Sequence, residues 1–190
     1  KYIEKIEKFR IDINKLKSDY LKISSKIKQW STDDPDLYDF RAICINQKPN
    51  DPKSITGGNI RGIYWTYPSE DWVEEQRLEK VDEASFTEIC DIFKESYIEE
   101  IYNLLKSNWQ IGRVRILLKP PRSCLSWHRD PEKRIHIPII TNPGCRMVIE
   151  NESFHMPADG SIYITDNEKY HNFFNGGEID RIHLVATLLE

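Results

Sequence analysis

The run Ser126-Trp-His-Arg-Asp130 places a histidine and an aspartate two residues apart. In extended chain alternate side chains leave the same face, so His128 and Asp130 point the same way. Two imidazoles and one carboxylate on one face of a metal ion make the triad of non-haem Fe(II) oxygenases, which leaves positions open for a cosubstrate and for oxygen. The third ligand is best supplied by His171, 43 residues after His128, in the polar turn Asp166-Asn-Glu-Lys-Tyr-His-Asn172. Taken alone, these three residues fit solvent-facing histidines near a turn about as well. Ten residues after His171 comes Arg181, at the start of a β-like run. The usual cosubstrate of such irons, 2-oxoglutarate, needs a cation for its distal carboxylate, and arginine offers a permanently charged, bidentate fork.

In order along the chain stand Trp127-His-Arg-Asp130, Arg134-Ile-His-Ile-Pro-Ile-Ile-Thr-Asn142, Gly160-Ser-Ile-Tyr-Ile-Thr-Asp166, His171, Asn175 and Arg181-Ile-His-Leu-Val185. This series resembles the aspartyl/asparaginyl β-hydroxylase family of 2-oxoglutarate- and Fe(II)-dependent oxygenases, and is similar to bacterial free-proline hydroxylases. The likeness spans about residues 112–190, and the order of the motifs is far more specific than any one of them. It implies a double-stranded β-helix core, jelly-roll and cupin-like. It also implies a dioxygenase that hydroxylates an unactivated C–H bond of an amino acid or of a peptide or protein side chain, releasing succinate and CO2. On this likeness His128, Asp130 and His171 hold Fe(II), Arg181 meets the distal carboxylate of 2-oxoglutarate, O2 is the oxidant, and ascorbate is a candidate reductant. Arg134 and His136 fall on the Arg-x-His positions that the family directs at the cosubstrate, and alternation puts Arg134, His136 and Pro138 on one face. A hydrogen-bonded core histidine is the plain alternative for His136. His183 repeats the Arg-x-His setting, with structural and functional roles equally open, and His155 reads as surface or loop. Animal members lack the carboxylate ligand that Asp130 supplies here, which brings the chain nearer the bacterial branch.

The elements that must position these residues follow from hydrophobic patterning. From Gly112 onward, short runs rich in β-branched residues (113–118, 134–139, 146–149, 161–164 and 181–187) alternate with Pro- or Gly-bearing turns, the signature of a sandwich or barrel. Residues 31–111 read as mixed helix and strand supporting that core. Within them, 41–45 and 62–67 are strand-like, and Ser85-Phe-Thr-Glu88 has the form of a capping box opening a helix to about Ser107. Residues 1–30 read as one amphipathic basic helix, with apolar positions from Tyr2 to Trp30 spaced alternately by four and three. Its stripe has two uses: packing on the domain's own sheet, or a coiled-coil dimer through residues 1–30. The fold class is mainly β with flanking helices, folded as a single domain.

Composition bounds the partners. With 190 residues, 39% hydrophobic and 31% charged, the chain can bury a sizeable core, and no apolar run approaches the length of a membrane span. The net charge of −4 divides into +5 over residues 1–30 and −9 over the rest, which argues against nucleic acid. Four scattered cysteines without a Cys-x-x-Cys pair suit a reducing, cytoplasmic setting. Arg113 and Arg115 share a strand face that could meet a substrate carboxylate. Arg122 and Arg129 flank the metal motif, and Tyr64, Trp65, Tyr67 and Trp127 could line an entrance. Two rivals remain at this level: a non-catalytic cupin-like metal-binding module, and an interaction module working through the basic segment.

Overall fold

The computed structural model describes residues 1–27, 41–55, 63–77 and 80–190. The chain opens on strand β1 (Ile3–Ile6), followed by helix α1 (Ile13–Ser24). Strands β2 (Arg41–Cys44), β3 (Asn46–Gln47), β4 (Tyr64–Thr66), β5 (Glu75–Arg77) and β6 (Glu88–Ile89) lead to helix α2 (Tyr97–Asn108). Then come β7 (Ile111–Lys119), β8 (Ser123–Cys124), β9 (His128–Arg129), β10 (Lys133–Ile140) and β11 (Cys145–Ile149). The last strands are β12 (Glu152–Phe154), β13 (Ile162–Thr165), β14 (His171–Asn175) and β15 (Arg181–Leu188). One sheet runs β1-β13-β10-β15-β7-β2, and a second runs β12-β11-β14-β9-β4-β5 with β8 on β14. Tyr163 of the first packs with Met147, Ile149 and Phe173 of the second, so the sheets close face to face as the predicted jelly roll.

Polarity along the long strands sets the layers. On β7, Val114, Ile116 and Leu118 alternate with Arg113, Arg115, Leu117 and Lys119. The apolar set joins Ile135, Ile137 and Ile139 of β10 and Ile182, Leu184 and Ala186 of β15 in the main core, against Leu16, Tyr20 and Ile23 of α1 and Ile98, Ile101 and Leu105 of α2. The other set points into the jelly roll, where Leu117 meets Ala42 and Val185. The larger apolar layer is therefore buried outside the barrel, under two helices, and the interior combines a smaller apolar cluster with charged and polar groups.

Three expectations are corrected. Residues 1–30 are not one helix, because Ile3–Ile6 pairs antiparallel with β13, Ile3 opposite Thr165 and Ile6 opposite Ile162. A four-three spacing does not distinguish a helix from a short strand followed by a shorter helix, and an edge strand of the sheet gains a ladder of bonds by taking Ile3–Ile6. The chain then turns where the Ile11 N–H donates to the Gly160 carbonyl at 2.8 Å. Gly160 has φ +90°, and a Cβ there would lie 2.1 Å from the Ile11 carbonyl oxygen, so only glycine fits. α1 is capped by Asp12, whose carboxylate accepts from the Lys15 N–H at 3.1 Å. Its stripe is buried in this chain's own core. The end of the expected helix at residues 28–30 and the stop at Ser31–Asp36 lie outside the described residues, as does the start, at residue 62, of the strand expected over 62–67.

The second helix starts at Ser96, not Ser85. The Ser96 hydroxyl accepts from the Glu99 N–H at 3.2 Å, and the Glu99 carboxylate accepts from the Glu95 N–H at 3.2 Å. Residues 85–90 are drawn out by longer-range bonds: Asn46 Nδ2 donates to the Phe86 carbonyl at 2.9 Å, and the Cys90 N–H to the Ile45 carbonyl at 2.8 Å. Finally, the expected boundary at residue 112 is crossed by both sheets, since β2 extends the first and β4 and β5 extend the second.

Candidate metal centre

β9 and β14 are neighbours, with His128 opposite His171. This pairing carries His171 across the 43-residue gap to the His-x-Asp motif, and the Asp130 N–H donates to the Asn167 carbonyl at 2.8 Å, tying the two turns together. One ligand atom from each of His128, Asp130 and His171 lies within 4.8 Å of the others. The imidazole centroids are 4.4 Å apart, and His171 Nε2 is 3.5 Å from Asp130 Oδ2.

Tautomers follow from the partners. His128 Nδ1 lies 2.6 Å from the Ser126 carbonyl and His171 Nδ1 2.8 Å from the Lys169 carbonyl. A carbonyl oxygen only accepts, so both Nδ1 atoms carry a proton, and in the neutral ring the lone pair is on Nε2. That is the ligand arrangement of metal-binding histidines, whose second nitrogen is held by a backbone carbonyl. Burial pushes the His128 pKa down, favouring the neutral ring. Burial alone would raise Asp130, but Arg134, His171 and His128 outweigh it and hold its carboxyl far below the usual range. Imidazole lone pairs and an ionised carboxylate are the kind of donor set that Fe(II) requires.

The cations divide in a way the sequence did not reveal. Arg134 sits 3.6 Å from Asp130 and 3.2 Å from Glu132, so it braces the ligand carboxylate. Arg113 is buried and clamped by Glu83, which accepts from its Nε at 2.9 Å and from its backbone N–H at 2.8 Å. Gly112 permits this, because a Cβ there would lie 2.7 Å from Glu83 Cβ. Arg115 and Arg181, by contrast, make no side-chain hydrogen bond or ion pair among the described residues. Arg181 is 3% exposed, rests on the Phe173 ring at 4.0 Å, and has Nε and Nη1 buried without a partner. Burial lowers Arg181 to about 10, and burial with neighbouring Arg113 lowers Arg115 to about 9, so both stay charged at neutral pH. An orphaned, buried guanidinium facing the interior fits a carboxylate ligand.

His136 and His183 contact each other through Nδ1, and His155 sits in a loop with Nδ1 on the Cys145 carbonyl. Around the mouth, Tyr64 meets His128 edge to face, while Tyr67 stacks on Tyr170 at 4.4 Å and Trp127 stacks on it at 6.0 Å. Arg129 lies over Trp65 and forks onto Glu74, which also accepts from the Tyr170 hydroxyl. Arg122 is exposed in a turn at φ 53°. Sequence reasoning missed Asn167, whose Nδ2 donates to His171 Nε2 at 3.0 Å, and Glu83, whose only signal was an acidic residue far from the motif.

A jelly roll with a His-x-Asp…His group between two strands of one sheet defines an oxygenase of the 2-oxoglutarate and Fe(II) class. The sequence model of the family described as aspartyl/asparaginyl beta-hydroxylase matches residues 63–190, and the chain belongs to that family. Solved structures with a similar fold include a Pseudomonas putida prolyl-4-hydroxylase, 9% identical, with TM-score 0.52 over 98% of this chain and 91% of that one. A 2OG-Fe(II) oxygenase family oxidoreductase from Burkholderia pseudomallei is 14% identical, with TM-score 0.50 over 98% and 84%. IDO from Bacillus thuringiensis is 10% identical, with TM-score 0.51 over 99% and 90%. No curated protein matches the chain. No helix among the described residues is long and apolar enough to cross a membrane.

Proposed function

We propose that this dioxygenase hydroxylates an unactivated C–H bond of an amino acid, free or within a peptide, in the cytoplasm, with His128, Asp130 and His171 as its iron ligands. The observation that carries the reading is the convergence of those three ligand atoms within 4.8 Å in a fold that also buries the Arg181 guanidinium, whose Nε and Nη1 have no hydrogen-bond partner among the described residues. When bound, Fe(II) and 2-oxoglutarate supply the oxidising chemistry, in which O2 is consumed, succinate and CO2 leave, and one oxygen atom goes to the substrate carbon.

The chain's residues bind, orient and shield. His128 and His171 offer Nε2 lone pairs fixed by their Nδ1 bonds, and Arg134 keeps Asp130 ionised. Arg181 receives the distal carboxylate of the cosubstrate, and Tyr64 packs edge to face against His128. On β7, Arg115 stands four residues from Lys119, the register partner of Arg181. At strand rise that is about 13 Å along the sheet, so the two guanidinium groups start from well-separated backbone positions. Arg115 therefore supports a second anionic group, carried by the prime substrate, while Arg113 is committed to Glu83.

The test is anaerobic addition of Fe(II) and 2-oxoglutarate, following the visible charge-transfer band, then a screen of free amino acids and peptides for substrate-stimulated succinate release. The band is expected in the wild-type protein and lost in His171→Ala, with Fe(II) binding weakened at least about 100-fold. A His171→Ala protein that keeps the band and turns over normally would overturn the ligand assignment.

A further inference from the structure

β10 and β15 pair with His136 opposite Val185 and Pro138 opposite His183. That register places His136 and His183 diagonally on the same inward face, within side-chain reach. Their Nδ1 atoms are 3.1 Å apart, and the rings meet edge to face at 81° with centroids separated by 5.3 Å. Both side chains are buried. Burial first, and the Arg181 charge second, push both pKa values well below that of a free imidazole, so both rings are neutral. Neutral imidazoles meeting through Nδ1 share one proton, so one Nδ1 donates and the other accepts. The ring that accepts at Nδ1 carries its own proton on Nε2. Both Nε2 atoms are buried without a hydrogen-bond partner among the described residues, and the pair presents one donor and one acceptor, never two of a kind.

We propose that His183 is a positioning residue that fixes His136 as its Nε2–H tautomer, making His136 a donor to an anionic oxygen of the cosubstrate. This rests on the cosubstrate reading above, and His136 is the ring on the metal side of the pair, one inward position along β10 from Arg134, which lies 3.6 Å from Asp130. An anionic oxygen only accepts, and in the opposite arrangement it would face a bare lone pair on His136. With His183 Nδ1–H donating, the His136 lone pair is consumed at Nδ1 and its N–H is turned to the anion. His183 is the hydrogen-bond partner of His136 Nδ1, so the selection falls to that residue.

The test uses the 15N-labelled full chain with Zn(II), which is diamagnetic, and 2-oxoglutarate. Long-range 1H–15N spectra tell protonated from bare ring nitrogens. His136 is expected bare at Nδ1 and protonated at Nε2, with His183 the reverse; a His136 protonated on Nδ1 overturns the proposal. In parallel, 2-oxoglutarate is titrated anaerobically into the Fe(II) protein. His183→Phe is expected to weaken cosubstrate binding about tenfold with Fe(II) affinity unchanged. His183→Asn, whose amide N–H falls near the imidazole Nδ1–H, is expected to restore it to within about twofold. Wild-type affinity in His183→Phe overturns the proposal. Failure of the wild-type protein to bind 2-oxoglutarate removes the cosubstrate reading itself, so the two failures are distinguishable.

Discussion

His128, His136 and His183 are each held neutral by burial, and this has a pH signature. Their folded pKa values lie below the ordinary 6.5, so as pH falls through 6.5 the unfolded chain takes up protons that the folded chain refuses. Stability is fully present above that value and falls below it, by up to about 1.4 kcal/mol per pH unit for each histidine. Asp130 acts later: its depressed carboxyl contributes stability above its ordinary 3.8, which is lost only as pH falls further. Urea unfolding of the metal-free protein is expected to show falling stability from pH 7 to pH 5, and a flat profile would contradict neutral burial. At this scale the convergence of His128, Asp130 and His171 was legible, because His-x-Asp in extended chain needs only alternation to share a face. Asn167 was not, since its bond to His171 depends on how the turn from β13 to β14 closes. Nor could spacing reveal that Arg134 braces Asp130 while Arg181 has Nε and Nη1 without a hydrogen-bond partner among the described residues.

At the scale of elements, two local contacts differ in what they hold. The Ser96 cap starts α2, and its loss in Ser96→Ala is expected to cost about 1 kcal/mol. Glu83 pins buried Arg113, and Glu83→Gln leaves that charge uncompensated, at about 3–5 kcal/mol. Chemical denaturation of the two variants should rank Glu83 well above Ser96; the reverse order would mean that the Glu83–Arg113 pair is not a principal tie. The long strands β7, β10 and β15 were read within a residue or two because β-branched alternation is strong there. The segments around Ser85 and Ile3 were misread because Ser85-Phe-Thr-Glu88 and Ser96-Tyr-Ile-Glu99 are equally good caps locally. Only Asn46, 40 residues away, decides between them through its bond to Phe86. A strand added at a sheet edge is likewise chosen by its partner, here β13, rather than by its own residues.

Over the whole molecule, both sheets and both helices enclose three of the four thiols. Cys44, Cys90 and Cys145 are buried and Cys124 is exposed, and burial pushes Cys90 up to about 12. A thiol reagent applied to the native protein is expected to label Cys124 alone at a fast rate and all four after denaturation; fast labelling of two or more would contradict the closed fold. The jelly roll itself was legible from motif order and strand texture, whereas the inversion of its polarity was not, because composition does not say which face of a sheet the helices will cover. That inversion bears on how such a chain diverges. The aliphatic layer that drives folding lies between α1, α2 and the outer face of β7, β10 and β15, while the residues that would meet ligands project from the opposite face of the same strands. Exchange of one inward side chain leaves the contacts of the aliphatic layer in place, so selection can alter what the interior accepts while conserving what makes the chain fold. A scaffold partitioned in this way is suited to changing substrate over evolutionary time, and laboratory redesign should begin at inward positions such as Leu117 and Val185 rather than under the helices.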